Sequence, residues 1–202
     1  MTRRIALPTN APGMRIGLFG GTFNPPHDAH RAVSLFAMKR LQLDRIWWLV
    51  TPGNPLKDNA ALPPLEDRIT AAERLAAHPR IDVTGIEAVI GTKYSYDTIV
   101  RLQHECPKTR FVWIMGADNL KNFHRWKNWQ GIASALPLAI VDRGETGLSM
   151  LGSPAAQTLA RARLPEGAAA SLAQQQPPAW VFLHGMKLAL SSTALRAGKN
   201  VP

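Results

Sequence analysis

Three features that define large classes of proteins are missing from this chain of 202 residues. It has a single cysteine, Cys106, which excludes an internal disulfide and fits a reducing cytoplasm. No apolar run approaches the ~20 residues that a membrane-spanning helix needs. Residues 1–13 are too polar and too often interrupted by proline for a secretory signal. We therefore expect a cytoplasmic protein without membrane contact, with a flexible tail at 1–13 and one domain at 14–202.

The chain also lacks any block of like charge, although its net charge is +10. A basic protein favours polyanionic partners, and both nucleic acids and nucleotides are polyanions. Because Lys and Arg occur in ones and twos, the pattern favours separate phosphate sites over a continuous nucleic-acid surface. Charge alone does not decide between the two classes of partner.

The most informative stretch runs from residue 15 to residue 30. It opens with an apolar run, Ile16 to Phe19, which indicates a buried strand. Gly20 and Gly21 follow, and they predict a sharp turn at which the backbone can come close to a ligand, since neither residue has a Cβ atom. A strand followed by a glycine turn is common in α/β proteins, so this part alone is only weakly specific for phosphate binding.

A helical pattern follows the two prolines of this stretch. His27 and His30 are three residues apart at its start, so both imidazoles are expected on one face of the helix. Asn24 or Asp28 is predicted to cap the helix. Two imidazoles beside the free amides of a helix N-terminus are typical of a site that holds phosphates.

Further apolar runs predict the other strands, at 45–50, 81–87, 110–115, 136–142 and 179–184. Helical patterns cover 64–77 and the residues that follow 93. The segment 144–178 is rich in Ala, Gln, Gly and Ser, and we interpret it as a variable insertion. Its one helical piece is predicted around Arg161 and Arg163.

Polar and aromatic residues follow two of these strands. Lys57 and Asp118 are predicted near the carboxyl edge of the sheet, where ligands bind in open parallel sheets. Phe123, Trp126 and Trp129 are spaced three residues apart, which predicts one helical stripe that core packing alone would explain.

The last distinctive string is Leu-Ser-Ser-Thr-Ala-Leu-Arg, which ends at Arg196. The hydroxyl residues Ser191, Ser192 and Thr193 are natural helix caps, and their hydroxyls can also donate to phosphate oxygens. Arg196 is expected one turn further on, on the same face. The sequence therefore predicts a second phosphate site near the C-terminus.

Taken together, these strings resemble the nucleotidyltransferases with a His-x-Gly-His motif, and within them the nicotinate mononucleotide adenylyltransferases. The matching strings are Gly-Gly-Thr-Phe-Asn-Pro-Pro-His-x-x-His, Lys-Tyr-Ser-Tyr-Asp-Thr, Gly-Ala-Asp-x-Leu-x-x-Phe-x-x-Trp-x-x-Trp and Ser-Ser-Thr-Ala-Leu-Arg. They span nearly the whole chain apart from the tail and the insertion. Asn24 stands where the family usually has Asp, and Ala29 where it usually has Gly.

The resemblance implies an α/β fold of Rossmann type, with a doubly wound, mostly parallel sheet. It implies adenylyl transfer from ATP to nicotinate mononucleotide, which gives deamido-NAD and pyrophosphate in NAD biosynthesis. The implied catalytic residues are His27, His30 and Arg196. Those implied for ATP are Gly20, Gly21, Thr22, Phe23, Lys57, Asp118, Ser191, Ser192 and Thr193. Those implied for nicotinate mononucleotide are Asn24, Lys93, Tyr94, Ser95 and Trp126. Mg²⁺ is expected on the ATP phosphates, without dedicated protein ligands.

Three alternatives stay open at this point. The first is the same chemistry on nicotinamide mononucleotide or on another phosphate acceptor, such as phosphopantetheine or a glycerol phosphate. The second is an NAD-dependent dehydrogenase, which is disfavoured because the glycine string does not read Gly-x-Gly-x-x-Gly. The third is a nucleic-acid-binding module, which would leave the histidines and the paired phosphate strings unexplained. We expect nucleotide partners and no nucleic acid, and self-association is left open.

Overall fold

Seven parallel strands form one sheet in the part of the chain that the structure, a computed structural model, describes: residues 6–56, 59–142 and 147–184. The strands are β1 Arg15–Gly21, β2 Arg45–Val50, β3 Ile81–Thr84, β4 Arg110–Gly116, β5 Leu138–Val141, β6 Arg163–Leu164 and β7 Trp180–Leu183. Their order across the sheet is β3-β2-β1-β4-β5-β7-β6, and every pairing is parallel. The predicted α/β class with a parallel sheet is confirmed.

Helices cover both faces of this sheet. They are α1 Asp28–Arg40, α2 Leu65–Ala76, α3 Ile86–Ile90, α4 Ser95–Glu105, α5 Ala117–Asn122, α6 Trp129–Ala135 and α7 Pro154–Thr158. Short 3₁₀ helices cover Phe123–Arg125, Gly147–Gly152, Ala160–Ala162 and Glu166–Gln174. Helices α1 and α2 pack on one face with the last of these 3₁₀ helices, and α3 to α7 pack on the other.

The strands are buried on both sides because successive side chains point to opposite faces. In β2, for example, Trp48 and Val50 belong to the core under α1 and α2, whereas Trp47 and Leu49 belong to the core under α4 to α6. This alternation explains why the strands appear in the sequence as continuous apolar runs. Among the described residues, no helix is long and apolar enough to cross a membrane.

The predictions for the third strand and for the segment 144–178 are wrong. The third strand ends at Thr84 rather than at residue 87, because Gly85 precedes the short helix α3. The segment 144–178 is not limited to one helical piece: its described part holds three 3₁₀ helices, α7 and the edge strand β6. Ala155 and Leu172 from this segment are fully buried, so it completes the core on both faces.

The order of the strands determines where a ligand can bind. From β1 the chain moves outward through β2 and β3, and it then returns to β4 on the other side of β1. The connections therefore leave β1 and β4 in opposite directions, which opens a crevice at their carboxyl ends. The predicted phosphate residues follow β1, and Asp118, the predicted sugar-binding residue, follows β4 in α5, so both groups lie at this edge of the sheet.

Candidate active site

A cavity opens at the carboxyl ends of β1 and β4, at the point where the strand order reverses. Most of its wall comes from four parts of the chain: the end of β1 with the first half of α1, residues 51–56 after β2, the start of α4, and the segment from β4 to Lys127. Glu87 on α3 and Ile132 on α6 also line it. Eleven predicted site residues line it: Gly20, Gly21, Thr22, Phe23, His27, His30, Lys93, Tyr94, Ser95, Asp118 and Trp126. The tertiary fold therefore assembles strings that are up to 106 residues apart in sequence, from Gly20 to Trp126.

One predicted site residue that the structure describes, Asn24, is not among those that line the cavity. Asn24 lies on the adjoining loop, between Phe23 and the start of α1. Lys57, Ser191, Ser192, Thr193 and Arg196 lie outside the described residues.

The two histidines lie side by side at the start of α1. Their ring centroids are 3.8 Å apart, so the predicted shared face is confirmed. His27 is the residue at the N-terminal cap, and its backbone N–H donates to Nδ1 of His30 at 3.1 Å. The predicted caps, Asn24 and Asp28, are therefore wrong, since Asp28 already belongs to the first turn. Because Nδ1 of His30 accepts this bond, a neutral His30 carries its proton on Nε2 and can donate it to a ligand.

The sharp turn after β1 differs from the prediction. Gly20 and Gly21 are the last two residues of β1, and the backbone turns at Phe23, whose φ angle is +46°. The absence of a Cβ at Gly20 matters for packing instead: a Cβ there would lie 3.0 Å from the indole ring of Trp113. Phe23 is held in its left-handed conformation by burial and by stacking on Trp48 at 4.9 Å.

The same aromatic cluster supports His30. The Phe23 ring lies 4.8 Å from the His30 ring. Ser34 donates its hydroxyl to the His30 carbonyl at 2.9 Å and accepts Nε1–H of Trp48 at 2.7 Å. The first turn of α1 is thus fixed to β2 through a buried polar contact, which restrains the imidazole that faces the cavity.

The wall opposite the histidines is built by the start of α4. Tyr94 is its N-cap and makes no side-chain capping hydrogen bond, so no capping side chain occupies the amides of the first turn. The Lys127 ammonium lies 4.1 Å from the centre of the Tyr94 ring and 3.9 Å from a carboxylate oxygen of Asp97. This wall therefore presents positive partial and full charges to the cavity.

The aromatic stripe predicted between residues 123 and 129 is not one continuous helix. The 3₁₀ helix ends at Arg125, Trp126 is extended, and a left-handed Asn128 precedes α6. Trp126 still reaches the cavity, with its ring edge-on to Phe123 at 5.4 Å and to Trp113 at 6.2 Å. Trp129 packs edge-on against Phe123 at 5.8 Å and is not part of the cavity wall.

Sequence reasoning missed Glu87, a buried carboxyl group on α3 that also lines the cavity. It accepts a hydrogen bond from the Thr98 hydroxyl at 3.0 Å and is hydrogen-bonded to Thr51. Burial raises the pKa of Glu87 above its ordinary value of 4.5, and the two hydrogen bonds offset this only in part. A charged residue inside the otherwise apolar run from Ile86 to Ile90 was the signal that could have identified it.

This environment gives Glu87 a predictable effect on stability. The pKa of Glu87 is higher in the folded state than in the unfolded state. Its favourable contribution to the free energy of unfolding is therefore fully present below the unfolded-state pKa, and it is lost as pH rises through the folded-state pKa. Glu87→Gln removes this titration. We expect the melting temperature of Glu87→Gln, relative to the wild type, to increase between pH 4 and pH 8, and each 1 kcal/mol would appear as about 2–4 °C at this size.

The measurement is thermal unfolding of both proteins across that pH range. Glu73→Gln is the matched control, because Glu73 is exposed on α2. The control should show no comparable trend with pH. A difference in melting temperature between Glu87→Gln and the wild type that does not change with pH would contradict the raised pKa of Glu87.

Comparisons with known proteins identify the family of this arrangement. A family model described as cytidylyltransferase-like matches residues 18–198. A probable nicotinate-nucleotide adenylyltransferase of Bradyrhizobium sp. strain BTAi1 is 61% identical over 183 residues, which are 91% of this chain and 95% of that relative. The chain belongs to the nicotinate-nucleotide adenylyltransferase family. A second family member, the probable nicotinate-nucleotide adenylyltransferase of Agrobacterium fabrum, is 52% identical over 91% of this chain and 98% of its own length.

Solved structures of nicotinate-nucleotide adenylyltransferases support the fold. The nicotinic acid mononucleotide adenylyltransferase of Plasmodium falciparum complexed with NaAD superposes with a TM-score of 0.69 over 91% of this chain and 83% of that chain. The same enzyme complexed with APC gives a TM-score of 0.66 over the same shares. At 17% and 16% identity, these likenesses extend to the fold alone.

Proposed function

We propose that this chain transfers the adenylyl group of ATP to nicotinate mononucleotide, giving nicotinate adenine dinucleotide and pyrophosphate in NAD biosynthesis. The observation that carries the proposal is the composition of the cavity. The histidine pair lines it from α1, which packs on one face of the sheet, and the start of α4 and Trp126 line it from the other face. A site of this kind offers one wall for phosphates and another for an anionic aromatic ring.

The reaction needs little covalent participation from the protein. A phosphate oxygen of nicotinate mononucleotide attacks the α-phosphorus of ATP, and a new phosphorus–oxygen bond forms. The bond from that phosphorus to the oxygen bridging to the β-phosphorus breaks, and its electron pair leaves with pyrophosphate. Because the attacking phosphate is already ionised at neutral pH, no general base is required. Catalysis then consists of aligning two anions and neutralising the charge that grows on the leaving group.

In this proposal, the first turn of α1 binds the phosphates of ATP. His30 donates from Nε2, and His27 lies 3.8 Å away between ring centroids, so the two can contact neighbouring phosphate oxygens. The helix N-terminus adds partial positive charge at the same place. The rest of the phosphate site is assigned from sequence motifs, which point to Arg196, Ser192, Thr193 and Lys57.

The start of α4 and Trp126 bind the acceptor in this proposal. The nicotinate carboxylate accepts from the first-turn amides of α4, and Lys93 and Lys127 add positive charge to the same wall. The nicotinate ring stacks on Trp126, whose own ring is held edge-on by Trp113 and Phe123. Asp118, in the first turn of α5, is the proposed acceptor for sugar hydroxyl groups.

We also propose that Mg²⁺ enters with ATP. The described residues contain no group of three or more His, Cys, Asp or Glu side chains arranged for a metal ion, and the basic cavity residues named above suit phosphate oxygens. Mg²⁺ commonly keeps several waters and binds through substrate phosphates. When bound there, it neutralises negative charge on the triphosphate.

The proposal further includes a cytoplasmic setting, which the free, buried thiol of Cys106 supports.

The test is pyrophosphate release from ATP in the presence of each candidate acceptor. We expect release with nicotinate mononucleotide and little with phosphopantetheine or glycerol phosphate, because these lack an aromatic ring for Trp126. Mass spectrometry of the product should show nicotinate adenine dinucleotide. Release with none of these acceptors, from a folded protein supplied with Mg²⁺, would refute the proposed function.

A further inference from the structure

Arg68 is a buried cation that takes no part in the proposed reaction. Its side chain lies on α2 and is 3% exposed. The guanidinium donates to four backbone carbonyls: Pro63 at 2.9 Å, Thr22 at 2.8 Å, Thr51 at 2.7 Å and Pro52 at 3.2 Å. One side chain therefore joins the turn after β1 to the segment after β2.

Both connected segments border the cavity, whereas Arg68 does not. Thr22 and Thr51 line the cavity, and Arg68 lies directly behind them. Among the described residues, no carboxylate forms an ion pair with Arg68. Burial lowers the pKa of the guanidinium, although an arginine stays charged near neutral pH. A positive charge with no ion-pair partner among the described residues thus lies behind the wall of a cavity that suits polyphosphates.

The contact with Thr22 also fixes the direction of an amide. In a trans peptide, the carbonyl and the following N–H point to opposite sides. Since the Thr22 carbonyl points to Arg68, the N–H of Phe23 points away from Arg68. The turn at Phe23 has a φ angle of +46°, which few bulky residues adopt without support from their surroundings. Arg68 provides part of that support.

We propose that Arg68 is a positioning residue for nucleotide phosphates: it presets the turn at Thr22–Phe23 and the segment 51–56, and its buried charge favours a triphosphate in the cavity. This inference rests on the proposed function for the identity of the nucleotide. Preset loops need no ordering when the nucleotide binds, so Arg68 raises the affinity for the nucleotide without touching it. The fixed charge adds long-range attraction inside a poorly screened site.

The test compares Arg68→Met and Arg68→Lys with the wild type. The matched control is Arg74→Met, because Arg74 is exposed on the same helix. For each folded protein, kcat and KM are measured for ATP and for nicotinate mononucleotide, at a temperature well below its own melting transition. Binding of inorganic tripolyphosphate is measured separately by calorimetry, so that phosphate affinity is read without turnover.

We expect Arg68→Met to raise the KM for ATP and the Kd for tripolyphosphate by about tenfold or more, since losing even one charge-assisted hydrogen bond can have that effect. Arg68→Lys keeps the charge but cannot span four carbonyls, so its values should lie between those of Arg68→Met and the wild type. Arg74→Met should match the wild type. Melting temperatures should fall for both Arg68 variants, but this change alone does not support the proposal.

Three results would overturn the inference. The first is a folded Arg68→Met with wild-type KM for ATP and wild-type affinity for tripolyphosphate, which would indicate a role in stability only. The second is loss of folding in both variants, which would make Arg68 a determinant of folding. The third is a wild-type chain that does not bind tripolyphosphate. If instead the wild type binds tripolyphosphate but transfers no adenylyl group, the proposed function fails while the comparison of Arg68 variants still holds.

Discussion

His30→Ala is expected to lower kcat on the order of 10²-fold or more while leaving the protein folded. In the proposed mechanism the Nε2–H of His30 donates to the phosphates, because Nδ1 already accepts from the backbone N–H of His27. Removing one preorganised donor from a site that stabilises developing charge has an effect of this size. A ring held by the bond from the His27 backbone N–H and by the Phe23 contact loses little entropy when it donates.

The expected cost in stability is much smaller. The substitution removes one capping hydrogen bond at 3.1 Å and the ring contact with Phe23. Loss of a cap costs about 1 kcal/mol, and such a loss lowers the melting temperature by about 2–4 °C in a chain of this length. The experiment therefore measures kcat and thermal unfolding on the same preparation.

His104→Ala is the control for this experiment. His104 is on α4, and its side chain is 81% exposed. Its removal should change neither kcat nor the melting temperature appreciably. A folded His30→Ala enzyme with nearly normal turnover would refute the role of His30, and so would a variant that simply unfolds.

The second large effect is the choice between an acid and an amide as acceptor. We expect kcat/KM for nicotinate mononucleotide to be at least roughly 10²-fold above that for nicotinamide mononucleotide. The first-turn amides of α4 have no side-chain cap from Tyr94, and Lys127 places positive charge 4.1 Å from the Tyr94 ring. A carboxylate can accept from several donors, whereas a carboxamide must also turn its own NH₂ toward them.

Trp126→Ala separates affinity from selectivity in this prediction. Stacking on Trp126 should favour both pyridine rings about equally. The variant is therefore expected to raise KM for both acceptors and to keep their ratio nearly constant. Trp129→Ala is a useful comparison, since Trp129 packs on Phe123 away from the cavity. Equal use of both acceptors by the wild-type enzyme would favour the dual-specificity alternative.

Local sequence was enough for the features that depend on neighbouring residues. The apolar runs predicted β1, β2, β4, β5 and β7, because strands buried on both faces need apolar residues throughout. The pairing of His27 with His30 was also predictable, since a three-residue step places two side chains on one face of a helix. The family strings added the expectation that distant segments meet, and eleven of those residues do line one cavity.

The errors concern positions where packing, rather than local preference, decides the backbone. Gly20 was expected to turn the chain, but its missing Cβ makes room for the Trp113 ring inside β1. The turn falls instead at Phe23, a residue that disfavours a positive φ on its own, because the Trp48 ring stacks on it. The residues around Trp126 have helical spacing in sequence, yet the chain leaves the helix there and returns at α6.

By itself, the sequence determined the fold class, the family and eleven of the residues that line the cavity, since each of these depends on strings of residues close together in the chain. Only the tertiary structure decided the roles of Glu87 and Arg68. In sequence, Arg68 is one charged residue among several on an amphipathic helix, and nothing marks it as buried. Its environment is made by carbonyls of Thr22 and Thr51, which lie 46 and 17 residues away. Burial of a charge depends on which segments the fold brings around it, and local sequence does not contain that information.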